Sequence, residues 1–226
     1  MLERVFATAL FLTLAGPVMA DDAAAPVDPS QHMSAPIGDV GFGSDNATKD
    51  AGGYAVRIGE LNAPAGEEYI LPFLIPPVGA GQHVTAAHLR FQLYVMSKEN
   101  RGLANADLYA LGVRDSNKPV AGDYYQGAKQ DLKAAALIEA NFLTPESKVR
   151  RDAEKGPFLE TSADADKALA KFLDDAFSKP QNAGKYVLLR ISYDADPIPV
   201  GNNAYIILST GATGDNETPL LTYTLK

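Results

Sequence analysis

From Tyr54 onward the chain alternates apolar and polar residues in short runs. Tyr54, Val56 and Ile58 alternate with Ala55 and Arg57, and residues 69–75 form an apolar run closed by Pro76 and Pro77. Leu89, Phe91, Leu93 and Val95 alternate with His88, Arg90, Gln92 and Tyr94. A period of two sends successive side chains to opposite faces of a strand, so one face is buried and the other wetter. Tyr109, Leu111 and Val113 form a further alternation. Val187, Leu189, Ile191 and Tyr193 alternate with Tyr186, Leu188, Arg190 and Ser192. Residues 205–208 read as a short apolar strand, and Leu221, Tyr223 and Leu225 alternate with Thr222 and Thr224. Clusters of Gly, Pro, Asn and Asp separate these runs, as at 194–197 and 214–216. Short strands divided by turn signals predict a mainly β fold, an antiparallel β-sandwich of jelly-roll type.

Two segments predict helices in the crossovers. Residues 129–142 are rich in Ala and Leu. In residues 162–177, Ser162 or Asp164 can cap the N-terminus, and Leu169, Phe172, Leu173, Ala176 and Phe177 share one helical face. Ser178, Lys179 and Pro180 stop that helix. Its polar face carries Asp164, Asp166, Asp174 and Asp175, which suits packing against a sheet better than docking on an anionic membrane. No internal repeat of fixed period is present.

The first 50 residues follow other rules. Arg4, an apolar run over 5–15, the Gly16-Pro17 break and the small residues Val18 and Ala20 read as a secretory signal peptide cleaved after Ala20. No later run approaches about 18 uninterrupted apolar residues, so a soluble mature protein without a transmembrane helix is expected. Residues 21–50 are rich in Ala, Pro, Gly, Ser and Asp, show no sustained period, and read as a flexible lead-in. Residues 51–226 then form one sandwich domain. The expected location is secreted, periplasmic or at the cell surface.

Composition narrows the chemistry. The 226 residues carry 20 Lys+Arg and 28 Asp+Glu, a formal net charge of -8, with no Cys and no Trp. The acidic balance argues against nucleic acid as a partner, because phosphate binding needs a basic surface. Lack of Cys excludes disulfides, thiolate metal sites and cysteine nucleophiles. An exported chain without disulfides fits a bacterial envelope, where the sequons at 46–48 and 216–218 are chance matches. HExxH and GxSxG motifs are missing, and Gly41-Phe42-Gly43 lacks the third glycine of a dinucleotide loop. His83 and His88 are five apart, so on one continuous strand they face opposite sides. Asp39, Asp45 and Asp50 do not have EF-hand spacing. These readings favour a protein that is not an enzyme. Asp123, Tyr124, Tyr125 and Gln126 sit in a Gly-rich loop. There the Tyr faces can stack on sugar rings while the acid and the amide bond hydroxyls. Arg90 and Arg190 lie on the polar phase of their strands, where an arginine can hold an anionic sugar or a salt bridge.

The order of signals over residues 67–226 resembles the DNRLRE-type domain, a β-sandwich of exported bacterial proteins related to carbohydrate-binding modules. Residues 69–73, a turn, and residues 84–93 are similar to the family's opening hairpin. Residues 139–145 resemble a segment in which the family has an acid followed by a Thr. The run from 168–172 to 184–191, and then from 205–210 to 219–223, is similar to its closing strands. The family's tryptophan before Glu139 is missing here, and Ser209, Thr210 and Gly211 stand where it has Ser-x-Glu. The resemblance implies binding of an extracellular or cell-envelope polysaccharide, acidic in some members. By analogy with sandwich modules, it implies a structural calcium at Asp215, Asn216 and Glu217, residues that turn chemistry explains equally well. No other cofactor is expected. The alternatives are a structural surface, filament or adhesion component acting through protein contacts, and a polysaccharide lyase or hydrolase.

Overall fold

The strands, in chain order, are β1 (Asp22–Ala25), β2 (Gln31–Pro36), β3 (Lys49–Asp50), β4 (Ala55–Glu60), β5 (Ala65–Leu74), β6 (Val84–Phe91), β7 (Leu93–Met96), β8 (Ala106–Arg114), β9 (Ala136–Leu143), β10 (Leu159–Glu160), β11 (Tyr186–Tyr193), β12 (Asn203–Leu208) and β13 (Leu220–Leu225). Helix α1 (Ala163–Phe177) lies between β10 and β11. The computed structural model describes residues 22–25, 31–36, 49–50, 55–60, 65–91, 93–96, 104–117, 123, 135–147, 158–193, 203–208 and 219–226. Residues 1–20, read as a signal peptide, lie outside the described residues.

The strands form two antiparallel sheets, as the alternation predicts. The smaller runs β1-β13-β6-β10, and the larger runs β7-β12-β4-β5-β11-β8-β9, with β2 added to β5 and β3 to β2. Their inner faces share one core. Leu89, Phe91, Leu221 and Tyr223 come from the small sheet, and Leu71, Phe73, Leu108, Val187, Leu189 and Ile191 from the large one. The aromatic side chains meet edge to face, Phe91 on Phe142 with ring centroids 5.4 Å apart and Phe177 on Tyr223 at 5.2 Å. That arrangement sets a ring's positive edge against its neighbour's negative face. No helix among the described residues is long and apolar enough to cross a membrane.

The alternation through residues 88–95 is one run in sequence and two strands in space. Residues 84–91 belong to the small sheet and 93–96 to the large one. Leu89 and Phe91 enter the core from one side and Leu93 from the other. A chain that changes sheets keeps its apolar phase, because both inner faces look into the same core.

The predicted face of Tyr109, Leu111 and Val113 is divided. Leu188 pairs with Gly112 and Leu189 with Ala110, so Leu111 is an extra residue in β8. Gly112 has φ 102°, a conformation that favours glycine and permits the bulge. Before it, Ala106, Leu108 and Ala110 face the core while Tyr109 faces away; after it, Val113 packs on the core.

Residues 129–142 were expected to be helical, and 136–143 instead form strand β9, antiparallel to β8. Ala and Leu carry helix propensity, but pairing with β8 puts Ile138, Phe142 and Leu143 into the core, and tertiary burial overrides a weak local preference. Asn141 at φ 55° accommodates the irregular register. Within residues 21–50, read as a lead-in without period, 22–25 pair with β13 and 31–36 with β5. Strand β1 lies at the edge of its sheet, where backbone pairing suffices without an apolar alternation, whereas β2 pairs with both β5 and β3.

Helix α1 follows its signals. Ser162 is the N-cap, its hydroxyl accepting the Ala165 N–H at 3.3 Å, and the helix ends at Ser178 before Pro180. Asp164 and Asp166 sit in the first turn, where the helix dipole favours acids. Leu169, Leu173, Ala176 and Phe177 are buried, and the helix packs chiefly on β6.

Two predictions follow from this packing. Adding a Cβ at Gly112 meets no atom within 4 Å, so the cost of Gly112→Ala is backbone strain alone. The expected loss is about 1–2 kcal/mol in urea denaturation. Burial also raises the pKa of the Tyr193 and Tyr205 phenols. Their rings meet at 5.7 Å, and Tyr205 donates its hydroxyl to the Ala104 carbonyl at 3.0 Å. A group raised in the folded state contributes stability that is intact below its unfolded pKa, about 10 for Tyr, and is lost as pH rises beyond it. Urea midpoints are therefore expected to fall above about pH 10, with part of the phenolate absorbance appearing only as the chain unfolds.

Candidate functional site

The register of the small sheet defines a polar outer surface. Thr222 lies opposite His88, Thr224 opposite Ala86, and Arg90 between Leu220 and Glu160. Directly opposed residues share a face. Since Ala87, Leu89 and Phe91 are buried, this row points outward. Helix α1 runs beside β6 and raises a wall of Asp166, Lys167 and Ala170 against it. Together they enclose a groove of about 450 Å³ whose floor includes Thr85, Ala86, His88, Thr222 and Thr224.

His88 is held in one orientation. Its Nδ1 lies 3.0 Å from Asp166 Oδ2 and 3.1 Å from Oδ1. A carboxylate only accepts, so Nδ1 carries a proton, and Nε2 is left as the imidazole's other hydrogen-bonding atom. Glu160 Oε1 is 3.9 Å from that Nε2. Thr161 stands behind the pair, 5% exposed. It donates its hydroxyl to Asp166 Oδ1 and accepts the Leu89 N–H at 3.0 Å. Asp166 and Thr161 both contact the imidazole at Nδ1, whereas a nucleophile–histidine–acid relay needs the nucleophile and the acid on opposite ring nitrogens. The arrangement therefore orients the imidazole at the groove floor and does not activate Thr161. Nearby, Arg90 lies with Cζ 4.7 Å over the Phe158 ring.

A second histidine repeats the pattern at the other end of the helix. His83 Nδ1 is 3.1 Å from Asp174 Oδ1, the same oxygen that accepts the Val84 N–H at 2.8 Å. The two histidines each take their own acid from α1. Among the described residues, no group of three or more His, Asp or Glu is arranged to hold a metal ion.

The other candidates lie on the large sheet. Arg190 is 2% exposed, on the outer face of β11. Its Nη1 donates to the Asp123 carbonyl at 2.7 Å, its Cζ is 4.8 Å over the Tyr109 ring, and Glu68 Oε2 is 4.0 Å from Nε. Arg114 grips the Asp123 carboxylate with both terminal nitrogens, Nη1 to Oδ2 at 2.8 Å. Burial lowers the Arg114 pKa from its usual value. The Tyr109 hydroxyl donates to Asp107 at 3.0 Å. Of the residues singled out from sequence, the structure thus joins Asp123 to Arg190 in a buried charged cluster and leaves Arg90 on the opposite sheet. Tyr124, Tyr125, Asp215, Asn216 and Glu217 lie outside the described residues.

Sequence reasoning passed over Thr161 and Arg114, and it placed Asp166 and Asp174 only on the polar face of the helix. No spacing pointed to the pairing: five strand residues span about 17 Å and eight helical residues about 12 Å, so His83/His88 and Asp166/Asp174 are not in step. No protein-family model matches this chain, and no curated protein matches it.

The groove's rear wall is open to test. Thr161→Val keeps the side-chain volume but leaves the buried Leu89 N–H without its acceptor, and is expected to cost about 1–3 kcal/mol. Lys167→Ala, on the exposed flank, is expected to stay within about 0.5 kcal/mol. Chemical denaturation of both variants checks the contrast.

Proposed function

We propose that this is an exported, non-catalytic β-sandwich protein that binds an extracellular or cell-envelope polysaccharide. The observation that carries the reading is the groove on the small sheet. It sets imidazole, carboxylate and hydroxyl groups along a strand surface beside small apolar side chains, Ala86 and Ala170. Sugars present that same mixture of hydroxyls and C–H faces. A few oriented polar groups in a concave site fix a ligand's position, while apolar surface supplies contact. The resemblance of residues 67–226 to the DNRLRE-type domain and the signal-peptide pattern of residues 1–20 support the same reading.

Affinity electrophoresis through gels containing single polysaccharides tests it, run with and without calcium and paired with assays for new reducing or unsaturated ends. The expected outcome is retardation in at least one gel with no new ends. Cleavage would overturn the non-catalytic assignment. Unretarded migration across the panel would remove the polysaccharide and move the weight to protein contacts.

A further inference from the structure

Resting on that reading, we infer that the polysaccharide held in the groove between β6, β13 and α1 is a neutral, hydroxyl-rich glycan and not a polyanion. The groove's cations are already matched. Lys167 Nζ is 2.8 Å from Asp164 Oδ1, and His88 Nδ1 is 3.0 Å from Asp166 Oδ2. Arg90 stacks on Phe158 and faces Glu160 across the β6–β10 pair. Asp166 and Lys167 line the groove with His88, and Arg90, Asp164 and Glu160 flank it, so each cation here already has a carboxylate or a ring beside it.

A sulfated or uronic-acid chain entering here brings its charges toward Asp166 and Glu160. Two like charges about 6 Å apart in water repel by roughly 0.7 kcal/mol, and a polymer repeats that cost at every anionic unit. The net charge of -8 adds a long-range field that slows approach of any polyanion.

A neutral sugar meets none of these costs. Asp166 takes Thr161 and His88 on its two oxygens, yet an ionised carboxylate offers about four lone-pair positions, so it can also accept a sugar hydroxyl. His88 Nε2 offers a further hydrogen-bonding position, and the Thr85 and Thr222 hydroxyls, which donate to the Thr224 and His88 carbonyls, can accept. Ala86 and Ala170 leave room for the C–H face of a pyranose ring. The volume of about 450 Å³ falls within the range of small-ligand sites, about 300–1,000 Å³.

The test runs the full protein through gels containing neutral polymers (dextran, a β-glucan, a galactomannan) and acidic ones (alginate, polygalacturonate), at low salt and at about 0.3 M NaCl, where the Debye length is well under 10 Å. The expected result is retardation by at least one neutral polymer, little changed by salt. Ala86→Trp, which fills the groove, and Asp166→Asn, which weakens its acceptor, are each expected to cut affinity at least tenfold. Thr222→Arg gives a third groove variant should either of these lower the urea midpoint. Retardation by acidic polymers alone, fading with salt, overturns the inference and leaves polysaccharide binding intact. Neutral binding that survives every folded groove variant overturns the assignment to this groove. Free migration in every gel removes the underlying reading as well.

Discussion

The backbone N–H groups along one edge of β6 govern much of this structure. On its other edge β6 is paired by β13, but here only Leu159 and Glu160 of β10 continue the ladder. Backbone groups that lose water without gaining a partner destabilise a fold by an amount comparable to a hydrogen bond each. Side chains take over where the strand stops. Thr161 accepts the Leu89 N–H and, from its own N–H, bonds the Leu89 carbonyl at 3.0 Å, while Asp174 accepts the Val84 N–H. The chain leaves the strand at Thr161, enters the helix at Ala163, and bonds β6 at both ends, through Thr161 and Asp166 at one and Asp174 at the other. That proximity lets Leu169 and Leu173 close the core beside Leu89 and Phe91. The arrangement also covers an edge that would otherwise template pairing with another chain.

The large sheet solves a different problem. Strand β11 is flanked by β5 and β8, and seven of its eight residues are buried, Arg190 among them. A buried guanidinium is costly unless carboxylates, carbonyls or π-faces surround it. The bulge at Leu111 and Gly112 contributes to that environment. It leaves Tyr109 on the outer face, directly opposite Arg190, while Val113 returns to the core. Arg114, at the end of the same strand, fixes the Asp123 carboxylate, and the Asp123 carbonyl takes Arg190. The cluster ties Asp123 to the centre of the sheet, which is an anchoring role; its deep burial separates it from the groove on the opposite layer.

What the sequence made legible, and what it did not, divides along the same physical line. Leu221 and Tyr223 of β13, Val187, Leu189 and Ile191 of β11, and the capped, amphipathic α1 were readable because each is a local pattern whose period is set by backbone geometry. The β6–β7 run was readable as strand but not as two strands, since a change of sheet leaves the apolar phase intact. Strand β9 was misread because Ala-rich segments favour a helix until a neighbour supplies pairing. The site was least legible. Asp166 and Asp174 read only as part of the helix's polar face, and only the crossover from β10 to α1 brings them to His88 and His83, 78 and 91 residues away in the chain. Arg190 was found on the outward phase, but its burial depends on Asp123, 67 residues earlier.

The edge bonds and the groove share their atoms, so folding itself fixes the groove's polar groups. Thr161 uses its one proton on Asp166 and its lone pairs on the Leu89 N–H, so the hydroxyl that satisfies the strand edge also pins the carboxylate that orients His88. Asp166 in turn sits in the first turn of α1, where the dipole favours its negative form. The groove's acceptors are thus fixed before any ligand arrives, by interactions the fold requires for its own stability. Preorganisation of this kind lowers the ordering cost of binding. It also limits what the groove can hold. The Asp166 side chain accepts from Thr161 and His88 together, so replacing it to admit a polyanion would loosen the strand edge behind it.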